Sequence, residues 1–129
     1  MKEMIYEVYH EPEVLDSGIY KNRKYVIINM GGLHPCAYVE CENGIKQDYE
    51  DIHTPAHCSF TFFGPLNHWK GRLNVPFDIN FVGWDFGHLG DYNPYFGRES
   101  DKKWTTEEVF ENIKQVIDWM EKCDLWILK

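Results

Sequence analysis

Residues 105–122 carry the clearest structural signal in the chain, and they read Thr-Thr-Glu-Glu-Val-Phe-Glu-Asn-Ile-Lys-Gln-Val-Ile-Asp-Trp-Met-Glu-Lys. Thr105 is a favourable N-cap residue, and Glu108 three positions later completes a capping box. Apolar side chains then recur at helical spacing, at Val109, Phe110, Ile113, Val116, Ile117 and Met120. The pattern predicts one amphipathic helix over about 106–122, whose apolar stripe packs against a sheet.

The residues before this helix have the composition of β-strands. Runs rich in β-branched and aromatic residues indicate strands over 4–9, 25–30, 36–41, 59–63 and 78–84. The segments between them are polar or rich in glycine and proline, and they predict long loops over 45–58, 64–76 and 85–104. Strands first and a helix last predict an α+β fold, in which an antiparallel sheet packs against one C-terminal amphipathic helix.

Length and charge narrow the function classes. A chain of 129 residues predicts a single domain over 1–129, and a hydrophobic content of 43% excludes a disordered chain. The formal net charge of −8 argues against direct nucleic-acid binding, which needs a basic face. No apolar run reaches the roughly 18 residues of a membrane span. Residues 1–7 are too acidic for a signal peptide, so we expect no membrane association.

The four cysteines indicate a reducing compartment. None of them forms a C-x-x-C pair, and they stand at Cys36, Cys41, Cys58 and Cys123. Cys36 and Cys41 are five residues apart, so a strand would place them on opposite faces, where they cannot share a disulfide or a ligand. We therefore expect free thiols in a cytoplasmic protein.

The densest polar cluster follows the last predicted strand and contains Asp85, His88 and Asp91 at intervals of three. Gly87 and Gly90 favour a tight turn there, so the three polar side chains can converge at a strand end. Two carboxylates and an imidazole suit a divalent metal, and they also suit a base with its orienting partners. The alternative is structural, with the two aspartates bonded to turn amides and His88 capping the sheet.

Two further histidine motifs are weaker. His53 and His57 have the spacing of a helical zinc pair, but Pro55 between them disfavours a helix, so a chance pair on a surface loop is the alternative. His34 follows Gly31-Gly32, a pair that suits either a turn or a close approach to an anion. His34 also lies two residues before Cys36, which allows a thiolate pair.

Aromatic residues are concentrated in or beside the predicted loops, at Trp69, Trp84, Tyr92, Tyr95, Phe96 and Trp104. Such residues either close the ends of the sheet or line a ligand pocket. Arg98 and Arg72 can supply an anion contact in such a pocket. We therefore predict a ligand site that includes Trp84 and Arg98 beside the polar cluster.

Acidic residues are concentrated in two segments of the chain. Residues 1–16 and residues 40–51 each carry five acidic residues against one lysine. If folding brings them together, they form an acidic face that can mimic nucleic acid towards a basic partner. The alternative is a solvated surface that aids solubility.

The apolar residues 125–128 have three open interpretations. They are an extension of the helix, a last strand, or a contact between copies of the chain.

Three segments together resemble a known group of proteins. They are residues 34–39 (His-Pro-Cys-Ala-Tyr-Val), residues 57–61, and residues 83–91 (Gly-Trp-Asp-Phe-Gly-His-Leu-Gly-Asp). In this order they resemble a group of small proteins of tailed phages and prophages, over roughly residues 25–122. That group usually has glycine where Ala37, Cys58 and Ser59 stand, and phenylalanine where Trp84 stands.

The resemblance implies a phage accessory protein in the bacterial cytoplasm and brings no known activity. Our first hypothesis is a host-directed binding protein that counters a defence system, anti-CRISPR-like or sequestering a nucleotide signal, with a defence protein or a small nucleotide as partner. The second is a metal-dependent hydrolase with Asp85, His88 and Asp91, assisted by His57, as metal ligands. The third is a phage structural or assembly component that oligomerises through residues 125–128.

Overall fold

One antiparallel sheet and one helix form the fold in a computed structural model that describes residues 1–8, 10–41 and 52–123. The strands are β1 (Glu13–Tyr20), β2 (Arg23–Asn29), β3 (Pro35–Glu40), β4 (Phe62–Pro65) and β5 (Asn80–Asp85), and the helix is α1 (Thr106–Lys122). The strand order is β1-β2-β3-β5-β4, and every pairing is antiparallel. The predicted α+β fold is confirmed.

The helix has the capping and packing that its sequence predicts. The Thr105 side chain accepts from the Glu108 N–H, and the Glu108 carboxylate accepts from the Thr105 N–H. The hydrogen bond from Lys102, together with those from Thr105, holds the pKa of Glu108 below its usual range. The apolar stripe is buried against β1, β2 and β3. One sheet face and α1 therefore enclose the larger of two apolar clusters.

The second apolar cluster lies on the other face of the sheet. Alternation along β3 sends Ala37 and Val39 towards α1, and Cys36 and Tyr38 to the opposite side. There the segment between β4 and β5 covers the sheet with Leu66, Trp69 and Val75. Cys36 and Cys41 accordingly belong to different clusters, and the four cysteines, all within the described residues, form no disulfide.

The strand predictions succeeded in the centre of the sheet and failed at its edge. β2, β3 and β5 overlap their predicted ranges almost fully, whereas β4 starts three residues late, at Phe62. Residues 4–8 are not a strand, because they pack as an irregular segment that places Met4 in the core. The true first strand, β1, escaped prediction because Asp16, Ser17 and Gly18 interrupt its apolar pattern at the sheet edge.

Two of the predicted segments lie wholly or mostly outside the described residues. They are the apolar residues 125–128 and most of the acidic segment 40–51.

Within the described ranges, no helix has both the length and the apolar character that crossing a membrane requires. The described parts of the predicted loops, 52–58, 66–76 and 86–104, contain only a short 3₁₀ turn at Asn67–Trp69 and one isolated bridge between Asp91 and Lys102.

Candidate functional site

The candidate site lies at the end of the sheet where β3 begins and β5 ends. Because these strands are antiparallel, Cys36 pairs in register with Asp85. His34 precedes β3 and His88 follows β5, so both histidines lie at this end. Loop 52–61 and loop 86–104 meet at the same place through a contact between His57 and Asp91.

His57 and Asp91, which the metal hypothesis grouped as ligands of one ion, form a direct imidazole–carboxylate pair. His57 Nε2 lies 2.9 Å from one oxygen of Asp91 and 3.1 Å from the other. The Asp91 side chain is only 5% exposed. It also accepts hydrogen bonds from the Trp104 indole N–H at 2.8 Å and the His88 backbone N–H at 3.0 Å. Three donors from three parts of the chain therefore fix this carboxylate.

The pair also fixes the chemical state of the His57 ring. A carboxylate only accepts hydrogen bonds, so neutral His57 carries its proton on Nε2 and keeps a lone pair on Nδ1. The ring stacks on Phe86 with centroids 5.0 Å apart and planes within 1°. It also contacts the Trp104 ring at 4.8 Å. Packing and hydrogen bonding together hold His57 in one orientation.

Asn112 on α1 joins the helix to this pair. Its side-chain oxygen accepts from the His57 backbone N–H and from the Trp84 indole N–H, each at 2.9 Å. Its amide donates to the Pro55 carbonyl at 2.9 Å. Trp84 is fully buried in the core, so the expectation that it contacts a ligand is corrected to a structural role. Asn112 is the site residue that sequence reasoning missed.

His88 and Asp85 form a second, more exposed pair beside the first. His88 Nε2 lies 3.0 Å from Asp85 Oδ1, without the alignment of a hydrogen bond, and both side chains are about one-third exposed. Asp85 also accepts from the Gly87 N–H at 3.1 Å. The His57 and His88 rings lie 5.9 Å apart. The cluster therefore runs Asp91, His57, His88, Asp85, with both pairs at one sheet end.

His34 belongs to the same sheet end but faces the backbone. Its Nδ1 lies 3.2 Å from the Pro35 carbonyl and 3.8 Å from Cys36 Sγ. A Cβ at Gly87 would lie 2.7 Å from the His34 ring, so only glycine fits there. Burial, reinforced by the charge of Asp85, raises the pKa of the Cys36 thiol. This disfavours the thiolate that a nucleophilic Cys36 would need.

Two open pockets flank the His57–Asp91 pair. The first, here called the loop pocket, has a volume of about 380 Å³, and its walls include His88, Asp91, Phe96, Arg98 and Asp101. The second, the helix pocket, has a volume of about 420 Å³ and lies between loop and helix. Its walls are Pro55, His57, Lys102, Trp104, Glu108, Glu111, Asn112 and Gln115. No residue is common to the two linings.

The rim of the loop pocket is both charged and apolar. Arg98 is exposed, and its guanidinium lies 3.6 Å from the Asp101 carboxylate. Two apolar side chains on the same loop are almost fully exposed, Leu89 at 95% and Phe96 at 84%. Tyr95 beside them is half exposed. This rim places a cation and an aromatic ring where a ligand or partner can reach them.

The metal hypothesis and the acidic-face hypothesis gain no support from the geometry. Within residues 1–8, 10–41 and 52–123, no three His, Cys, Asp or Glu side chains are placed to hold a metal ion. Instead, Asp91 is committed to the donors of His57, Trp104 and His88. Glu13 and Glu40, one described residue from each acidic segment, lie at opposite ends of β2. Glu13 pairs in register with Asn29, whereas Glu40 accepts a hydrogen bond from the Lys24 N–H.

The turn after His57 has an unusual backbone. Cys58 and Ser59 have φ values of 56° and 78°, in the left-handed region that glycine adopts without strain. Cys58 is exposed overall. Partial desolvation of its thiol, together with the charges of Asp91 and Asp85, raises the pKa of that thiol.

The site is thus defined by two histidine–aspartate pairs, two pockets and an exposed rim at one sheet end. His57, Asp85, His88 and Asp91 come together as a cluster, Arg98 lines the loop pocket, and His34 lies behind Gly87. Trp84 and Asn112 support the cluster from the core. Comparison with known proteins finds no matching family model, no matching curated protein and no matching solved structure.

Proposed function

We propose that this protein binds a small nucleotide in the loop pocket and thereby acts on a bacterial host as a counter-defence protein of a phage. The observation that carries the proposal is the convergence of His88, Asp91 and Arg98 on one pocket. The volume of about 380 Å³ suits a small ligand. The resemblance to phage proteins supports the host-directed part of the proposal.

The side chains of the loop pocket match the parts of a nucleotide. The Arg98 guanidinium suits a phosphate, which it can bind through two parallel hydrogen bonds. Phe96 offers an exposed ring on which a base can stack. The Arg98–Asp101 contact is long at 3.6 Å and the Arg98 side chain is exposed, so its guanidinium can turn to a phosphate at little cost, while Asp101, 9% exposed, keeps its hydrogen bond from the Arg98 N–H. Phe96 therefore replaces Trp84, which is buried, as the aromatic residue proposed to contact the ligand.

Calorimetric titration with a panel of mononucleotides, dinucleotides and cyclic nucleotides tests the binding. Arg98→Ala should weaken binding by about 10–100-fold, the effect of losing a charged hydrogen-bond donor. Phe96→Ala should weaken it by removing the stacking surface. Arg72→Ala is the matched control, because Arg72 lies over the Trp69 ring and outside the loop pocket. If the wild-type protein binds no nucleotide in the panel, the proposal is wrong.

The host-directed part needs a separate measurement in cells. Expression of the wild-type chain in a bacterium with a nucleotide-signalling defence should raise the plating efficiency of a sensitive phage. Expression of Arg98→Ala at the same level should not raise it. Equal protection by both proteins would show that nucleotide binding is not the mechanism.

A second candidate function rests on the exposed apolar rim. Leu89 and Phe96 are 95% and 84% exposed and both line the loop pocket, and exposed apolar side chains are typical of protein-binding sites. In this version the partner is a defence protein rather than a nucleotide. Because Leu89 also lines the loop pocket, Leu89→Ser supports this version only if it abolishes the gain in plating efficiency and leaves the calorimetric nucleotide binding at the wild-type level. Full protection by Leu89→Ser would rule out this version.

A further inference from the structure

We infer that His57 is a general base, and that the helix pocket hydrolyses neutral or cationic acyl esters. The inference can fail separately from the nucleotide proposal, because the two pockets share no lining residue, although the Asp91 that orients His57 lines the loop pocket. It rests on the orientation of the His57 ring, on the position of that ring in the wall of the helix pocket, and on the charges around it.

The orientation of His57 is the first step. Asp91 is nearly buried and holds His57 Nε2 at 2.9 Å, so the lone pair of the neutral ring is on Nδ1. In the described part of the chain, Nδ1 has no hydrogen-bond partner, and His57 lines the helix pocket. A carboxylate that orients an imidazole and stabilises its protonated form is the arrangement of an efficient general base.

The second step is the support behind the base. Trp104 donates to Asp91 at 2.8 Å, and Asn112 holds the His57 backbone N–H at 2.9 Å. Phe86 stacks on the imidazole. A base held by packing and by hydrogen bonds loses little entropy when a reactant arrives, which favours proton transfer in the bound state. Asp91 is therefore a positioning residue, and His57 is the catalytic one.

The third step is the substrate class, which follows from the pocket walls. Glu108 and Glu111 place two carboxylates on the helix side, and each is ion-paired at 2.6 Å, Glu108 with Lys102 and Glu111 with Lys114. Because Lys102, the one lysine or arginine of the lining, is already paired with Glu108, these walls attract anionic substrates less than neutral and cationic ones. Pro55 and the Trp104 ring give an apolar surface for an acyl group. Lys102 Nζ is bonded to Glu108 at 2.6 Å and lies over the Trp104 ring, 4.7 Å from its centroid, where its remaining N–H donors can stabilise an oxyanion.

The reaction then needs only water as co-reactant. Water attacks the ester carbonyl carbon, the new C–O bond forms, and His57 Nδ1 takes the water proton. The carbonyl electrons move to the oxygen, whose charge Lys102 stabilises. When the tetrahedral intermediate collapses, the bond between the carbonyl carbon and the alcohol oxygen breaks. His57 returns its proton to the departing oxygen, which leaves a carboxylic acid and an alcohol.

The test compares three esters with the purified full chain. The probes are p-nitrophenyl acetate as the neutral ester, acetylthiocholine as a cationic thioester, and mono-p-nitrophenyl succinate as an anionic ester. Wild-type protein should hydrolyse the first two and spare the third. His57→Ala should lower kcat by about 100-fold or more, the usual contribution of a general base. His53→Ala is the matched control, because His53 is exposed in the same loop and outside the pocket.

Two further measurements separate catalysis from folding. Lys102→Met keeps the aliphatic stem and leaves the His57–Asp91 contact in place, so it should lower kcat with little change in KM. Diethyl pyrocarbonate should acylate His57, and p-nitrophenyl acetate should slow that acylation. The inference is overturned if folded wild-type protein hydrolyses no probe faster than His57→Ala, or if Lys102→Met leaves kcat unchanged.

Discussion

The two histidine–aspartate pairs use the same residue types in opposite ways. Asp91 is 5% exposed and accepts three hydrogen bonds, and its partner His57 stacks on Phe86. Asp85 and His88 are about one-third exposed and lie three residues apart in one turn. The first pair joins distant parts of the chain, whereas the second is local. We therefore expect the buried His57–Asp91 pair to contribute more to stability than the exposed Asp85–His88 pair, although the residue types are the same.

This difference also divides the chemistry between the pockets. His57 is held rigidly against the helix pocket, which suits proton transfer at a fixed place. His88 lines the loop pocket, and its partial exposure lets it adjust to a ligand. Mutations in the first pair should therefore affect folding and function together. Mutations in the second pair should affect function alone.

The largest expected effect comes from Asp91→Ala. It removes the acceptor for His57, Trp104 and the His88 N–H, and it leaves buried donors unpaired. We expect a loss of about 3–5 kcal/mol in the free energy of unfolding. Urea unfolding monitored by tryptophan fluorescence measures it.

Asp85→Ala is the matched control for Asp91→Ala. Its pair is partly exposed, so we expect a loss of less than about 1 kcal/mol. Equal losses in the two variants would contradict the distinction between a buried and an exposed pair. Circular dichroism of both variants checks that α1 is retained.

A smaller but still large effect is expected for Asn112→Ala. The variant leaves the His57 N–H and the Trp84 indole N–H without an acceptor in the core, and it frees the Pro55 carbonyl. We expect a loss of about 2 kcal/mol, together with a weaker hold on His57. Gln115→Ala, on the exposed side of the same helix, removes only the hydrogen bond that Gln115 accepts from the Asn112 amide at 3.0 Å, and should cost less than about 1 kcal/mol. A loss of equal size in Gln115→Ala would show that this hydrogen bond, rather than the contacts to His57 and Trp84, accounts for the effect.

The features that could be predicted from the sequence are those that depend on local patterns of residues. α1 and the central strands were recovered because a capping box and β-branched runs act over a few residues. The grouping of Asp85, His88 and Asp91 at a strand end was also a local inference, and the structure places all three there. β1 was missed because an edge strand tolerates the polar residues Asp16 and Ser17.

The His57–Asp91 contact could not be predicted in this way, because its two residues lie 34 positions apart. Their meeting depends on how two loops pack over the sheet end. One signal was present, since Asn112 is a polar residue on the apolar stripe between Val109 and Val116. A buried polar side chain requires hydrogen-bond partners. Asn112 therefore marks the place where the helix contacts something polar, but not which residues it contacts.

The third prediction isolates a single donor to Asp91. Trp104→Phe removes the indole N–H while keeping an aromatic ring against His57 and Phe86. A hydrogen bond to a charged acceptor contributes about 1.5–3 kcal/mol, and the smaller ring loses some packing, so we expect a loss near 2 kcal/mol or slightly below. Trp119→Phe, which keeps the contact with Phe60, is the control and should cost less. A larger loss in the control would mean that ring size, not the hydrogen bond, matters.

The smallest effect is expected from Cys58→Gly, and it has the opposite sign. Cys58 has a φ of 56°, and a non-glycine residue in the left-handed region costs about 1–2 kcal/mol. Glycine removes this strain but adds about 0.5–1 kcal/mol of unfolded-state entropy. We therefore expect a gain of up to about 1 kcal/mol in the free energy of unfolding.

Lys21→Gly in the turn between β1 and β2 is the control for Cys58→Gly, because Lys21 has a φ of 49° far from the site. Relief of backbone strain should stabilise both variants, and Lys21→Gly should gain somewhat less, because it also loses the exposed ion pair of Lys21 with Asp118 at 2.6 Å. Ester hydrolysis should be unchanged by Lys21→Gly. If Cys58→Gly gains stability but loses hydrolysis, the strained turn positions His57 for catalysis, because a rigid left-handed residue limits how the ring can move. If it gains stability and keeps hydrolysis, Asp91, Phe86 and Asn112 suffice to hold the ring, and the His57–Asp91 pair differs from the Asp85–His88 pair through tertiary contacts alone.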